Sequence, residues 1–307
     1  MGDTQSSPLE AVVWETAEGD RCQRRFIEGL FGFPGDLFPR PLKKWREPSN
    51  WDAELEQSIL SDIRELNPQR KPNLLILGPV GAGKSSFINS ILSIGKGRKC
   101  ASASTGESSS SWTLELDRFT ERSLLRKFRL LDCMGIEPTD GHGFHPEDII
   151  FLLKGHVKKG YKFNPAGPIS ESSVHFRRNP EFENQTHCVI FVMDAKTIYY
   201  GIPPAYVQKI SYLQDKIKRE HIPMVLILTK ADQLCNEVER DITKMFWSGK
   251  IQEAVKTASE VFSIDQESIH PVKNYEVDFN IETKTNIPLL IALRQIMQYA
   301  ANRVERV

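Results

Sequence analysis

The run Asn73-Leu-Leu-Ile-Leu-Gly78-Pro-Val-Gly81-Ala-Gly83-Lys84-Ser85-Ser-Phe-Ile-Asn89 dictates what kind of sheet this chain can build. Leu74, Leu75, Ile76 and Leu77 are apolar without a polar break, as in a short parallel strand covered on both faces. Gly78, Gly81 and Gly83 then remove side chains where the backbone bends and its N–H groups must approach an anion. From Ser86 to Leu92 the apolar spacing is helical. Gly78 through Gly83, Lys84 and Ser85 satisfy G-x-x-x-x-G-K-[ST], the phosphate-binding loop.

Each position in that loop has a chemical task. The amides around Gly81, Ala82 and Gly83, with Ser85 and Ser86 opening the helix, cradle the α- and β-phosphates. Lys84 reaches the β- and γ-oxygens as a point charge, and the Ser85 hydroxyl can ligate Mg²⁺. The plain alternative is a glycine-rich turn with a surface lysine. An apolar strand before the motif and an amphipathic helix after it argue against that.

Composition bounds the remainder. Across 307 residues, 40 Lys and Arg balance 40 Asp and Glu, which disfavours bulk attraction to nucleic acid or an anionic membrane. Cys22, Cys100, Cys133, Cys188 and Cys235 are scattered and odd in number, without a C-x-x-C pair. They read as reduced thiols of a cytosolic protein, neither a disulfide framework nor a zinc site. His142 and His145 fall in a Gly- and Pro-bounded loop without cysteine partners and read as loop residues. No window has the length and apolarity of a transmembrane segment, and no secretory signal is visible. Met1-Gly2-Asp3-Thr4-Gln5-Ser6 formally fits the myristoylation pattern, but Asp3 and the lack of a nearby basic run make it an accidental match.

The chain before about residue 70 reads as an extension, with a helix at about 50–66. Trp51, Leu55, Ile59, Leu60, Ile63 and Leu66 recur at helical steps, Ser49 with Asp52 resembles a capping box, and Asn67-Pro68 should stop the helix. The remainder, 71–307, reads as one nucleotide-binding domain with an insertion at about 137–185. The expected fold is α/β: a three-layer P-loop NTPase of GTPase type, a mostly parallel sheet flanked by helices. Long segments between strands usually carry specificity or a partner surface.

Three later stretches complete the site. Gly95 to Ser111 is rich in Gly, Lys and Ser, and Thr105 within it is the candidate to offer Mg²⁺ a hydroxyl and close over the γ-phosphate. Ser102, Ser104 or Thr113 could serve instead. The apolar run ending in Asp132-Cys-Met-Gly135 puts a carboxylate at a strand's carboxyl edge, where parallel sheets bind ligands. Asp132 would hold Mg²⁺, directly or through water, and the Gly135 N–H would touch the γ-phosphate, which makes Lys84, Thr105 and Gly135 the catalytic set.

Met224 to Leu228 is another buried strand, and Thr229-Lys230-Ala231-Asp232 follows it. A carboxylate at Asp232 can accept from the guanine N1–H and exocyclic amine, a donor pair adenine lacks, while the Lys230 stem lies along the base. A wrong base would leave buried polar groups unpaired at about 1–3 kcal/mol each. Ser268 to Tyr275 should form the last strand and its exit loop, where the backbone N–H of Lys273 or Asn274 could meet the guanine O6.

The order Gly-x-x-x-x-Gly-Lys-Ser, Thr-containing loop, Asp-x-x-Gly, Thr-Lys-x-Asp resembles the GTP-binding domain of the small-GTPase-like superfamily. The fuller loop sequence, Ser104-Thr105-Gly106 and Tyr161-Lys-Phe-Asn-Pro165 are similar to the interferon-induced protein 44 family, over roughly Trp45 to the end. That resemblance implies a cytoplasmic, innate-immune, antiviral protein that binds GTP or GDP with Mg²⁺. Functions residing in the amino-terminal domain of some members are not carried over. Many GTPases place a glutamine after Asp-x-x-Gly to orient the attacking water, whereas this chain has Ile136. Hydrolysis should then be slow, at or below ~10⁻⁴ s⁻¹. Arg98 or Arg118 could act in trans within a homodimer, and the sequence selects neither. A slow switch, a non-hydrolysing nucleotide-bound scaffold acting through protein partners, and an ATPase disfavoured by Thr-Lys-x-Asp are the readings the sequence leaves.

Overall fold

The long sheet strands divide their side chains between two opposite cores. The computed structural model describes residues 43–48, 50–99, 124, 126–132, 144–276 and 280–306. All of them belong to the unit Pro41–Val307. Helix α1 (Ala53–Glu65) leads into β1 (Asn73–Leu77), and α2 (Lys84–Lys96) follows the glycine loop. Then come β2 (Arg129–Asp132), α3 (Pro146–Leu153), β3 (Cys188–Asp194), α4 (Ala195–Tyr200) and α5 (Pro204–Arg219). The chain closes with β4 (Met224–Thr229), α6 (Ala231–Leu234), α7 (Asn236–Arg240), α8 (Gly249–Phe262), β5 (Ile269–Pro271) and α9 (Thr283–Glu305).

The five strands are parallel, in the order β2-β1-β3-β4-β5. Strand order reverses between β1 and β3, so the crevice beyond their carboxyl ends is where such a sheet takes a ligand. Unbroken apolar strands follow from coverage on both faces. Because side chains alternate, Leu75, Leu77, Val189, Phe191, Leu226 and Leu228 enter one core with residues of α3, α4, α5 and α8. Leu74, Ile76, Ile190, Val192, Val225 and Ile227 enter the other, with residues of α1, α2 and α9.

Helix α1 lies on α9, where Asn286 Nδ2 donates to Glu56 Oε1 at 2.7 Å and Arg294 meets Asp62 at 2.7 Å. Its amino-terminal cap is Asp52, which accepts from the Leu55 N–H at 2.9 Å; Ser49, the expected partner in a capping box, lies outside the described residues. Leu289, Leu290, Leu293, Ile296 and Met297 recur at helical steps, so the sequence alone reads as a terminal helix over Ile287 to Tyr299. It extends a turn or more at each end and holds Pro288 within its early turns.

The insertion contains α3, started by Pro146 behind a His145 cap, and then a long irregular stretch with an antiparallel bridge between Val157 and Phe176. It is anchored from inside. The fully buried Asp148 accepts from the Ile169 N–H at 2.7 Å and the Tyr161 hydroxyl at 3.2 Å. Val157, Tyr161, Phe163, Ile169 and Phe176 join the α3-side core. Burial raises the Asp148 carboxyl above its usual range, and those two donors act against the shift.

Candidate functional site

The loop after β1 owes its path to its glycines. A side chain at Gly78 would put Cβ 2.2 Å from the Val192 carbonyl oxygen, so β3 and the loop meet there only because that atom is missing. Gly83 has φ +89° and lies against Asn274 and Thr229. Helix α2 begins at Lys84, with Ser85 and Ser86 half-buried in its first turn. Lys84 Nζ folds back over the loop and donates to the Gly78 and Pro79 carbonyls, both at 2.9 Å.

Three consecutive carbonyls of that loop are held by side chains from the exits of β4 and β5. Lys230 Nζ donates to Gly81 O at 2.9 Å. Thr229 Oγ1 donates to Ala82 O at 2.6 Å, and also lies 3.2 Å from Met193 O. Asn274 Nδ2 donates to Gly83 O at 3.2 Å. Residues separated by about 150–190 positions in sequence are therefore directly bonded. The glycine loop is thus in direct contact with the Thr-Lys-x-Asp segment and the β5 exit.

A cavity of about 530 Å³ opens beside these contacts, lined by Lys196, Lys230, Asp232, Gln233, Glu239, Lys273, Asn274 and Glu276. Burial raises the Asp232 carboxyl above the ordinary carboxylate range, with Glu276 adding to the rise, while backbone N–H groups and Lys273 oppose it. Such a carboxylate gains from donors that arrive with a ligand. Asn274 is 6% exposed, and among the described residues its Oδ1 has no hydrogen-bond partner. An unsatisfied buried acceptor on a residue that lines this cavity is compatible with a nucleotide site.

The structure thus brings Gly81, Ala82, Gly83, Lys84, Ser85, Ser86, Thr229, Lys230, Asp232, Lys273 and Asn274 to one end of the sheet. Asp132 closes β2 in register with Ile76 of β1, at the same carboxyl edge. Thr105, Gly135 and the alternatives Ser102, Ser104 and Thr113 lie outside the described residues, as do Arg118 and Ile136.

Sequence reasoning missed Asp194. It ends β3, caps α4 by accepting from the Lys196 N–H at 2.8 Å, and forms a 3.0 Å ion pair with Lys230. The signal was present as a carboxylate directly after an apolar strand, the pattern that singled out Asp132. Lys196 and Glu239, from α4 and α7, also reach the cavity and carry no local motif.

A parallel sheet with this strand order, a glycine loop clasped by the Thr-Lys-x-Asp segment and a polar cavity beside it define a P-loop domain of the GTP-binding class. The chain belongs to the family described as 50S ribosome-binding GTPase, whose model matches residues 73–230. It is 31% identical over 295 residues to human interferon-induced protein 44-like, covering 92% of this chain and 62% of that protein. With human interferon-induced protein 44 it shares 26% identity over 260 residues, covering 82% and 58%. These matches bear out the resemblance to the interferon-induced protein 44 family, although the chain spans only about three fifths of those relatives' length. Among solved structures, Toc33 from Arabidopsis thaliana in complex with GDP and Mg²⁺ aligns with TM-score 0.38 and 14% identity over 82% of this chain and 97% of that one. That likeness is too remote to carry structure or function across.

Proposed function

We propose that this chain is a Mg²⁺-dependent guanine-nucleotide switch with slow intrinsic GTP hydrolysis. The observation that carries the reading is the clasp of Gly81, Ala82 and Gly83 carbonyls by Lys230, Thr229 and Asn274, beside a cavity containing Asp232. A triphosphate on the loop would leave its purine within reach of Asp232. Among the described residues no group of three His, Cys, Asp or Glu could hold a metal. In this reading Ser85, Asp132 and a hydroxyl such as Thr105 would hold Mg²⁺ together with the nucleotide, and the ion would offset the charge of the phosphates. Gly135 would meet the γ-phosphate, and Ile136 after it supplies no water-orienting amide, which accounts for slow turnover.

The relatives are named as interferon-induced proteins, and the proposed role extends from that to an innate-immune, antiviral switch in the cytoplasm. Among the described residues no helix is long and apolar enough to cross a membrane. Protein partners, on the insertion at 137–185 or in a homodimer, would read the nucleotide state. Ile136 also favours a second reading, a scaffold that holds GTP without hydrolysing it.

Fluorescent GTP, GDP and ATP titrations with and without Mg²⁺ test the binding step. GTP and GDP should bind, ATP about a hundredfold more weakly, and Lys84→Ala should abolish binding. Retained micromolar affinity in that variant, or equal affinity for ATP, would refute the site. Single-turnover assays then separate the two readings: phosphate release supports the switch, and GTP surviving intact supports the scaffold.

A further inference from the structure

Proton accounting around the loop leaves one amide unaccounted for. The Thr229 hydroxyl has a single proton, and its oxygen lies within hydrogen-bond distance of two carbonyls, Ala82 at 2.6 Å and Met193 at 3.2 Å. The side chain is fully buried. Thr229 therefore has no donor to offer a base. Asp232, once ionised, can only accept.

Asn274 occupies the adjoining space. A Cβ on Gly83 would lie 3.1 Å from its Nδ2 and 3.4 Å from the Thr229 Cβ, so the glycine is what admits the amide. One of its two amino protons goes to Gly83 O. That bond also fixes the orientation of the amide, since a carbonyl neighbour demands the nitrogen. Among the described residues Oδ1 is left without a partner, although the residue is only 6% exposed. A buried amide in this state loses about 1–3 kcal/mol unless something entering the cavity completes it.

We infer that the side-chain amide of Asn274 reads the purine directly, as a second base-specificity group beside Asp232. It would accept from the 2-amino group through Oδ1 or donate to N7 through the remaining Nδ2 proton. The O6 atom is left to the backbone N–H groups of Lys273 and Asn274. The inference rests on the guanine-nucleotide reading above. It adds a coupling: because the same amide holds Gly83 O, base and phosphate recognition share one side chain.

The test compares the wild type with Asn274→Leu, of similar size, using GTP, inosine triphosphate, which lacks the 2-amino group, and 7-deaza-GTP, which lacks N7. The variant should bind GTP about fivefold to a hundredfold more weakly. For whichever analogue lacks the group that the amide meets, the loss should shrink to within about twofold, since there is no longer a bond to remove. An equal loss for all three ligands would make Asn274 a loop tether only and overturn the inference, as would no loss at all. Asn274→Asp, which retains an acceptor at Oδ1, serves if the leucine variant does not fold. It should keep discrimination of the 2-amino group if Oδ1 reads it and lose discrimination at N7 if Nδ2 does, and uniform behaviour across the ligands again overturns the inference. Failure of the wild type to bind GTP would instead sink the nucleotide reading itself.

Discussion

Replacing Asp194 by Asn should weaken guanine-nucleotide binding although the side chain need not touch the ligand. The Asp194 carboxylate has two separable roles: Oδ1 accepts from the Lys196 N–H at 2.8 Å, and Oδ2 pairs with Lys230 Nζ at 3.0 Å. Asparagine keeps the first and puts a neutral amide against the ammonium in the second. At 3.0 Å, Coulomb attraction with an effective dielectric near 20 is roughly 5 kcal/mol gross. Desolvation and solvent screening cancel most of it, and with side-chain exposures of 25% and 18% a net value of about 1–2 kcal/mol remains. Lys230 also donates to Gly81 O, so freeing its head loosens a loop contact that binding must then restore. The expected rise in Kd for fluorescent GTP is about fivefold to thirtyfold. The wild-type advantage should shrink between 50 and 500 mM salt, roughly as a partly screened pair does. Asp194→Glu should recover part of the affinity. A variant with unchanged Kd at low salt would refute the positioning role, and so would a loss that salt leaves untouched.

Other outcomes follow from the same geometry. Thr229→Val keeps shape but removes the donor to Ala82 O, so the fold should lose about 1–3 kcal/mol, seen as a fall of a few degrees in Tm; an unchanged Tm would contradict the buried bond. Asp232→Asn should raise the Tm of the ligand-free protein, because burial disfavours the ionised carboxylate, while shifting preference from GTP to xanthosine triphosphate. A lowered Tm or unaltered base preference would show that Asp232 is structural. Burial holds His187 and His270 at about 4, below the ordinary 6.5, so stability from their neutral forms is complete above pH 6.5 and is lost as pH falls towards 4. At pH 5 each should cost about 2 kcal/mol relative to pH 7, and urea midpoints that stay flat from pH 7 to 5 would contradict the buried neutral state.

Much of this architecture could be read from strings of residues because local chemistry and global fold agree. Leu74–Leu77 and Met224–Leu228 are apolar throughout because each strand is covered on both faces, and the loop glycines are needed for contacts as tight as Gly78 against Val192. Helix α8 escaped notice even though Ile251, Ala254, Val255, Ala258 and Phe262 recur on one face behind the Ser248 cap. Its two alanines lower the apparent apolar signal while being fully buried. The insertion was legible as long and Gly/Pro-bounded, but not as anchored. A lone Asp148 in a helix gives no hint that its acceptors will be met by Tyr161 and Ile169, since that pairing exists only once the segment folds back.

The site has a property that no motif carries alone. Gly81, Ala82 and Gly83 are successive residues, and their carbonyls are bonded to three side chains that come from two different strand exits. Each such bond contributes about 1 kcal/mol net, so the loop is braced before any nucleotide arrives, and less binding free energy goes into ordering it. Two of the bracing groups, Lys230 and Asn274, also line the cavity that contains Asp232. On the proposed guanine-nucleotide reading, a purine that disturbed Lys230 or Asn274 would act on the glycine loop within one hydrogen bond, and rejecting a wrong base would loosen the grip on its phosphates. Discrimination among nucleotides should thus appear in dissociation rates, with inosine and adenine nucleotides leaving faster than GDP. If those ligands instead differ only in association rate, the bracing contacts do not couple the two ends of the site.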